Sequence, residues 1–173
     1  MWPWGHAAIG YLLILALTAG SERRLPTRAE TLVVLVATQL PDVIDKSLAW
    51  SFELLPAGRS LAHSLITATV LTAVVIAVAS RYDRPEFGPI FGIGYLSHLL
   101  TDVPLSVYAG EFSRGTFLLW PVLPVPTYDT EPSFLGHLWA IELTGSFVLQ
   151  GVVAGVVAVL VLMSLQTDSD PVD

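Results

Sequence analysis

His6, Asp42, Asp45, His63, His98 and Asp102 are side chains that bind divalent metal through nitrogen and oxygen, and some of their spacings are helical. His98 and Asp102 stand four apart in Gly94-Tyr-Leu-Ser-His98-Leu-Leu-Thr-Asp102, so on a helix both project from one face. Arg59 and His63 repeat that spacing in Gly58-Arg-Ser-Leu-Ala-His63-Ser64, which pairs a phosphate-binding guanidinium with a ligand. Pro41-Asp42-Val-Ile-Asp45 sets two carboxylates three apart at a helix end. The chain has no cysteine, so thiolate sites are excluded. The chemistry that fits is metal-assisted hydrolysis. Zinc or manganese, held by some of His6, Asp42, His63, His98 and Asp102, would lower the pKa of a water and polarise the scissile group. Asp45 is expected as a second ligand or as the base that orients the water, and Arg59 as the cation that meets a phosphoryl oxygen. Plainer readings also exist: His6 as an interfacial histidine, Asp42 and Asp45 as helix-end carboxylates paired with Lys46, and His98 with Asp102 as helix-pairing polar groups.

Convergence of these residues requires helices that alternate across a membrane. The 173 residues are 53% hydrophobic and 13% charged, with a mean hydropathy of +0.66, far from the balance of a soluble domain. Hydropathy predicts an all-α, polytopic membrane bundle of about five helices in a single domain, 1–173. The segments run roughly His6 to Thr18, Thr31 to Asp45, Leu61 to Ser80, Phe87 to Asp102 and Leu138 to Leu165. The third and fifth read as full spans. The first and second cover only about 20 Å of a hydrocarbon core near 30 Å, so a re-entrant or core role is the alternative. Arg23, Arg24, Arg28, Arg81 and Arg84 lie in the first and third connections, against Lys46, Arg59 and Arg114 in the others. The positive-inside rule then makes this a multi-pass plasma-membrane protein with the polar ends on the extracytoplasmic face.

Other features bear on partners. A net charge of −7 argues against nucleic acid, leaving the lipid bilayer as the surrounding partner. The connection from Val103 to His137 carries Pro104, Pro121, Pro124, Pro126 and Pro132 with Phe117, Trp120, Tyr128 and Phe134, a composition that resists regular structure and favours an interface. It is expected to lie over the site as a lid, with a phosphoester of a lipid or lipid-linked molecule as substrate. His137 reads as structural. Gly151-Val-Val-Ala-Gly155 is a close-contact motif, for a homo-oligomer or for packing within the chain.

The motif order resembles the YdjM-like family of membrane-bound metal-dependent hydrolases. His6-Ala-Ala-Ile-Gly10, Leu40-Pro-Asp-Val-Ile-Asp45, Arg59-Ser-Leu-Ala-His63-Ser64 and Gly94-Tyr-Leu-Ser-His-Leu-Leu-Thr-Asp102 follow one another as in that family, and Gly115-Thr-Phe-Leu-Leu-Trp-Pro121 resembles its Leu-Leu-Trp-Pro stretch. The resemblance implies a hydrolase with a divalent metal. Gly58 stands where the family usually has a histidine before the arginine. Two readings from other classes remain: a non-catalytic membrane protein whose cluster holds a structural metal or pairs helices, and a divalent cation carrier.

Overall fold

The computed structural model describes residues 1–126, 133–139 and 141–167, and every regular element among them is helical. Helix α1, Pro3–Ser21, opens on a proline in its first turn, where a missing N–H leaves no bond unmade. Helix α2, Arg28–Lys46, starts from a capping box: the Thr27 hydroxyl accepts the Glu30 N–H, and the Glu30 carboxylate accepts the Thr27 N–H. Arg24 donates to both Glu30 oxygens at 2.6 Å, and this pairing holds the Glu30 carboxyl down at about 2. At its far end α2 contains Pro41 and runs on into a π-helical turn, Ser47–Ser51.

Helices α3, Leu65–Arg81, and α4, Phe87–Thr101, form the next antiparallel pair. Beyond them come α5, Leu105–Tyr108, a 3-10 segment, Phe112–Leu119, then α6, Phe134–Trp139, and α7, Gly145–Thr167. Helix α4 sits at the centre, packed on α1, α2 and α3, while α7 lies against α1. One apolar cluster joins α1, α2, α4 and α7 through Tyr11, Ile14, Val34, Ile90 and Val157; a second joins α2, α3 and α4 through Ala37, Ala68, Phe91, Tyr95 and Leu99.

Two glycines set the distances between helices. A Cβ on Gly10 of α1 would collide with the Thr38 methyl of α2, and one on Gly94 of α4 would lie 2.9 Å from the Ala37 Cβ and 3.1 Å from the Val34 carbonyl. His6 stands one turn before Gly10 and His98 one turn after Gly94. Close approach of α1 and α4 to the same stretch of α2 is therefore what brings the two imidazoles together.

Several boundaries differ from expectation. The third helix begins at Leu65 instead of Leu61, because the Ser64 hydroxyl accepts the Ile66 N–H and caps it there. Arg59 and His63 accordingly lie in irregular chain, and the helical spacing predicted for them does not occur. The last helix begins at Gly145 instead of Leu138, with the Thr144 hydroxyl accepting the Phe147 N–H. The Val103–His137 connection is more regular than its prolines suggest, since it holds α5, the 3-10 segment and the start of α6. Tyr128, Pro132 and the side chains of Phe134 and His137 lie outside the described residues.

By length and composition, two helices among the described residues qualify to cross a membrane, Pro3–Ser21 and Gly145–Ser164; Leu65–Arg81 is apolar but shorter. The first segment, expected to be short, is therefore one of the qualifying spans, whereas the third is not. On α7 a Cβ at Gly151 or Gly155 would meet nothing within 4 Å among the described residues.

Candidate metal centre

Asp42 from α2, His63 from the irregular chain before α3, and His98 and Asp102 from the end of α4 converge in the interior. One donor atom from each lies within 4.8 Å of all the others. The Nε2 atoms of His63 and His98 are 3.2 Å apart. Asp42 Oδ1 is 3.6 and 3.8 Å from them, and Asp102 Oδ2 is 3.6 and 4.0 Å. With bonds of about 2.0–2.1 Å, the donors of a tetrahedral zinc site stand about 3.3–3.4 Å apart, so small adjustments would close this set on one ion.

Hydrogen bonding on the far side of each ring fixes which nitrogen turns inward. His98 Nδ1 faces the Thr38 carbonyl at 2.6 Å, and a carbonyl can only accept, so the proton is on Nδ1 and the Nε2 lone pair points into the cluster. His63 Nδ1 donates to Asp45 Oδ2 at 2.8 Å, which aims its Nε2 into the cluster as well, where the Nε2–H donates to the bare His98 Nε2 at 3.2 Å. His6 Nδ1 meets the Thr101 hydroxyl at 2.9 Å. That hydroxyl already donates to the Ser97 and His98 carbonyls, so it accepts from His6 and leaves His6 Nε2 bare. All three imidazoles thus turn Nε2 inward with Nδ1 held from behind, the arrangement found around metals.

The residues also fit a cation by what they leave unsatisfied. Asp42 Oδ1 and His6 Nε2 are buried without a hydrogen-bond partner, although His6 Nε2 lies 3.2 Å from Asp102 Oδ1. Such atoms are costly to bury unless something meets them. Burial alone would push the His63 imidazole down, but the Asp102, Asp42 and Asp45 carboxylates around it outweigh that and raise it to about 10, so its Nε2 carries a proton that a bound cation would replace.

The sequence candidates divide into distinct positions. His6 sits beside the four, stacked on His98 with ring centroids 3.8 Å apart. Asp45 is fully buried and its oxygens are taken: they accept the backbone N–H groups of Ser60, Ala62 and His63 at 2.7, 2.8 and 3.1 Å, besides the His63 ring. This carboxylate folds the irregular segment around itself and aims His63. Arg59 donates from Nε to Asp102 Oδ2 at 2.9 Å, on the partly exposed rim.

Other participants stand around the group, Lys46 among them as the partner that the sequence offered for the helix-end carboxylates. Lys46 donates to Asp42 Oδ2 at 2.7 Å, using the oxygen that faces away from the cluster, and the amine of Met1 reaches Asp102 Oδ1 at 2.8 Å. Tyr95 donates its hydroxyl to the Ala62 carbonyl at 2.6 Å, and Phe117 of the 3-10 segment stands edge-on to the His63 ring at 6.3 Å. Ser64 donates to the Trp120 carbonyl at 2.6 Å, which ties that segment over the site. The Thr38 carbonyl is backbone and has no residue-type signature; Thr101, adjacent to a singled-out aspartate, could have been read from position.

Fold and site together define an all-helical protein with two helices long and apolar enough to cross a membrane and a possible metal site of two histidines and two aspartates. The chain belongs to the YdjM inner membrane protein family, whose profile matches residues 1–168. No curated protein and no solved structure matches it.

Proposed function

We propose that this chain is a metal-dependent hydrolase acting on a phosphoester of a lipid or lipid-linked molecule at the bilayer surface. The observation that carries the reading is the locked orientation of His63 and His98, each with Nδ1–H held by an acceptor and Nε2 aimed at two carboxylates. Asp42, His63, His98 and Asp102 would hold the ion, with His6 adjoining them. When bound, a divalent cation such as zinc or manganese supplies Lewis acidity and acidifies a water.

The chain's own residues do the remaining work. Asp45 orients His63, a role that its saturated oxygens favour over ligand or base. Arg59, at the rim beside Asp102, meets the phosphoryl oxygen. The segment around Phe117 and Trp120 covers the His63 side and acts as the lid. In this reading α1, α2, α3, α4 and α7 form a multi-pass bundle of about five helices, with the site on the extracytoplasmic face of the plasma membrane. The uncovered Gly151 and Gly155 serve a homo-oligomer. Placement of the cluster at helix ends favours an enzyme over a cation carrier.

The test is hydrolysis of a panel of lipid phosphomonoesters and diesters by metal-loaded protein in lipid nanodiscs. His98→Ala and Asp102→Ala are expected to abolish turnover. Turnover that survives either change would remove the site assignment, and metal bound without any turnover would favour a structural metal.

A further inference from the structure

Asp42 presents its two oxygens to different neighbours. Oδ1 is buried, accepts no hydrogen bond among the described residues, and lies 3.6 and 3.8 Å from the Nε2 atoms of His63 and His98. Oδ2 accepts the Lys46 ammonium at 2.7 Å, one helical turn further along α2. With side-chain exposures of 12% for Lys46 and 9% for Asp42, this pair is far less open to solvent screening than a surface ion pair.

The ammonium is itself held in place. Beyond Lys46 the chain passes into the π-helical turn Ser47–Ser51, and the Trp50 ring there has its centroid 5.6 Å from Lys46 Nζ, within reach of a cation–π contact. Lys46 is also the one lysine in a chain whose other basic side chains of permanent charge are arginines. An ammonium is a point charge that can meet a single oxygen, whereas a guanidinium fork matches both oxygens of a carboxylate. The lysine takes Oδ2 and leaves Oδ1 open towards the histidines.

We propose that Lys46 is a positioning residue for the metal group: by occupying Oδ2 it restricts Asp42 to a single bond through Oδ1, and so biases the site towards an ion of low coordination number, zinc over manganese. The proposal rests on the reading that Asp42, His63, His98 and Asp102 hold a divalent cation; it is independent of substrate and of turnover. Its physical basis is the count of donors. One atom from each of the four side chains supplies the four ligands that zinc takes, whereas manganese prefers more oxygens and would gain from the second oxygen of the same carboxylate. Sites of this kind bind zinc more tightly than manganese in any case, so the diagnostic quantity is the change in that ratio when Lys46 is replaced.

The experiment measures zinc and manganese affinities of the full chain in detergent by competition with a chelator, together with the visible absorption of the cobalt-loaded protein, which is strong for four ligands and weak for six. Lys46→Met keeps an aliphatic stem and removes the charge. It is expected to lower the zinc-to-manganese affinity ratio about tenfold, the lower end of what losing a ligand's outer hydrogen-bond partner costs, and to weaken the cobalt absorption as Asp42 turns both oxygens to the ion. Lys46→Gln should move both readouts in the same direction, and it carries the test if the methionine variant does not fold. An unchanged ratio or an unchanged cobalt spectrum in a folded variant would overturn the positioning role alone, leaving the metal centre intact and Lys46 as an ordinary helix ion pair. Wild-type protein that binds none of the three ions would overturn the metal reading and the proposal with it.

Discussion

At the level of single residues, the site is defined by hydrogen bonds made on the side away from it. Thr38, Asp45 and Thr101 each take the Nδ1 proton of one histidine, and the inward-facing Nε2 atoms follow. Asp45→Asn replaces an acceptor of several N–H groups with an amide that has one acceptor oxygen. Metal affinity, measured by competition with a chelator, should fall about 10- to 100-fold, the usual cost of losing such a partner. Unchanged affinity would mean that Asp45 does not orient His63.

At the opposite end of α2, the Glu30 carboxyl is held at about 2 by Arg24, below its ordinary 4.5. A lowered carboxyl stabilises the fold fully above its unfolded value and ceases to do so as pH falls from 4.5 towards 2. Glu30→Gln should therefore narrow its gap in thermal stability from wild type between pH 6 and pH 3; a constant gap would contradict the ion pair's role. Sequence spacing alone made the His98 and Asp102 pair legible. It is silent on what Asp45 holds, because the N–H groups that occupy it belong to backbone seventeen or so residues away, which no residue type advertises.

For the helices, glycine governs how closely α1, α2 and α4 approach. Gly94→Ala would place a methyl against Ala37 and the Val34 backbone, and backbone cannot rotate aside. The expected cost is about 1–3 kcal/mol of stability, read as a lower melting temperature, together with weaker metal binding as His98 moves from Asp42 and His63. Normal metal affinity in a stable Gly94→Ala protein would show that the spacing is not set there. The apolar runs revealed most of α1, α2 and α4, but not the starts of α3 and α7. Leu61 and Leu138 are apolar and extend the hydropathy signal, while the local hydrogen bonds of Ser64 and Thr144 decide where the helices begin.

Across the whole molecule, Arg23, Arg24, Arg28, Arg81 and Arg84 lie in the connections at the end of the helices away from the metal group, interleaved with Glu22, Glu30, Asp83 and Glu86. Helix α7 packs on α1 by one side, while Gly151 and Gly155 face away from the described chain. If those glycines serve self-association, the pair Gly151→Leu and Gly155→Leu should shift the detergent-solubilised protein to a smaller species by light scattering, with metal content unchanged. No shift would assign that face to lipid. Which hydropathy segments cross the membrane was only partly legible, since α1 gains length from Pro3 onward and α3 proves shorter than its apolar run.

Metal content per chain tests the central claim most directly, by elemental analysis of the detergent-purified protein beside His98→Ala after reconstitution with zinc or manganese. Near-stoichiometric metal in the wild type, lost in the variant, is the expected result. Wild-type protein that takes up no metal, while remaining folded, would contradict the account and leave these histidines and aspartates as groups that pair helices.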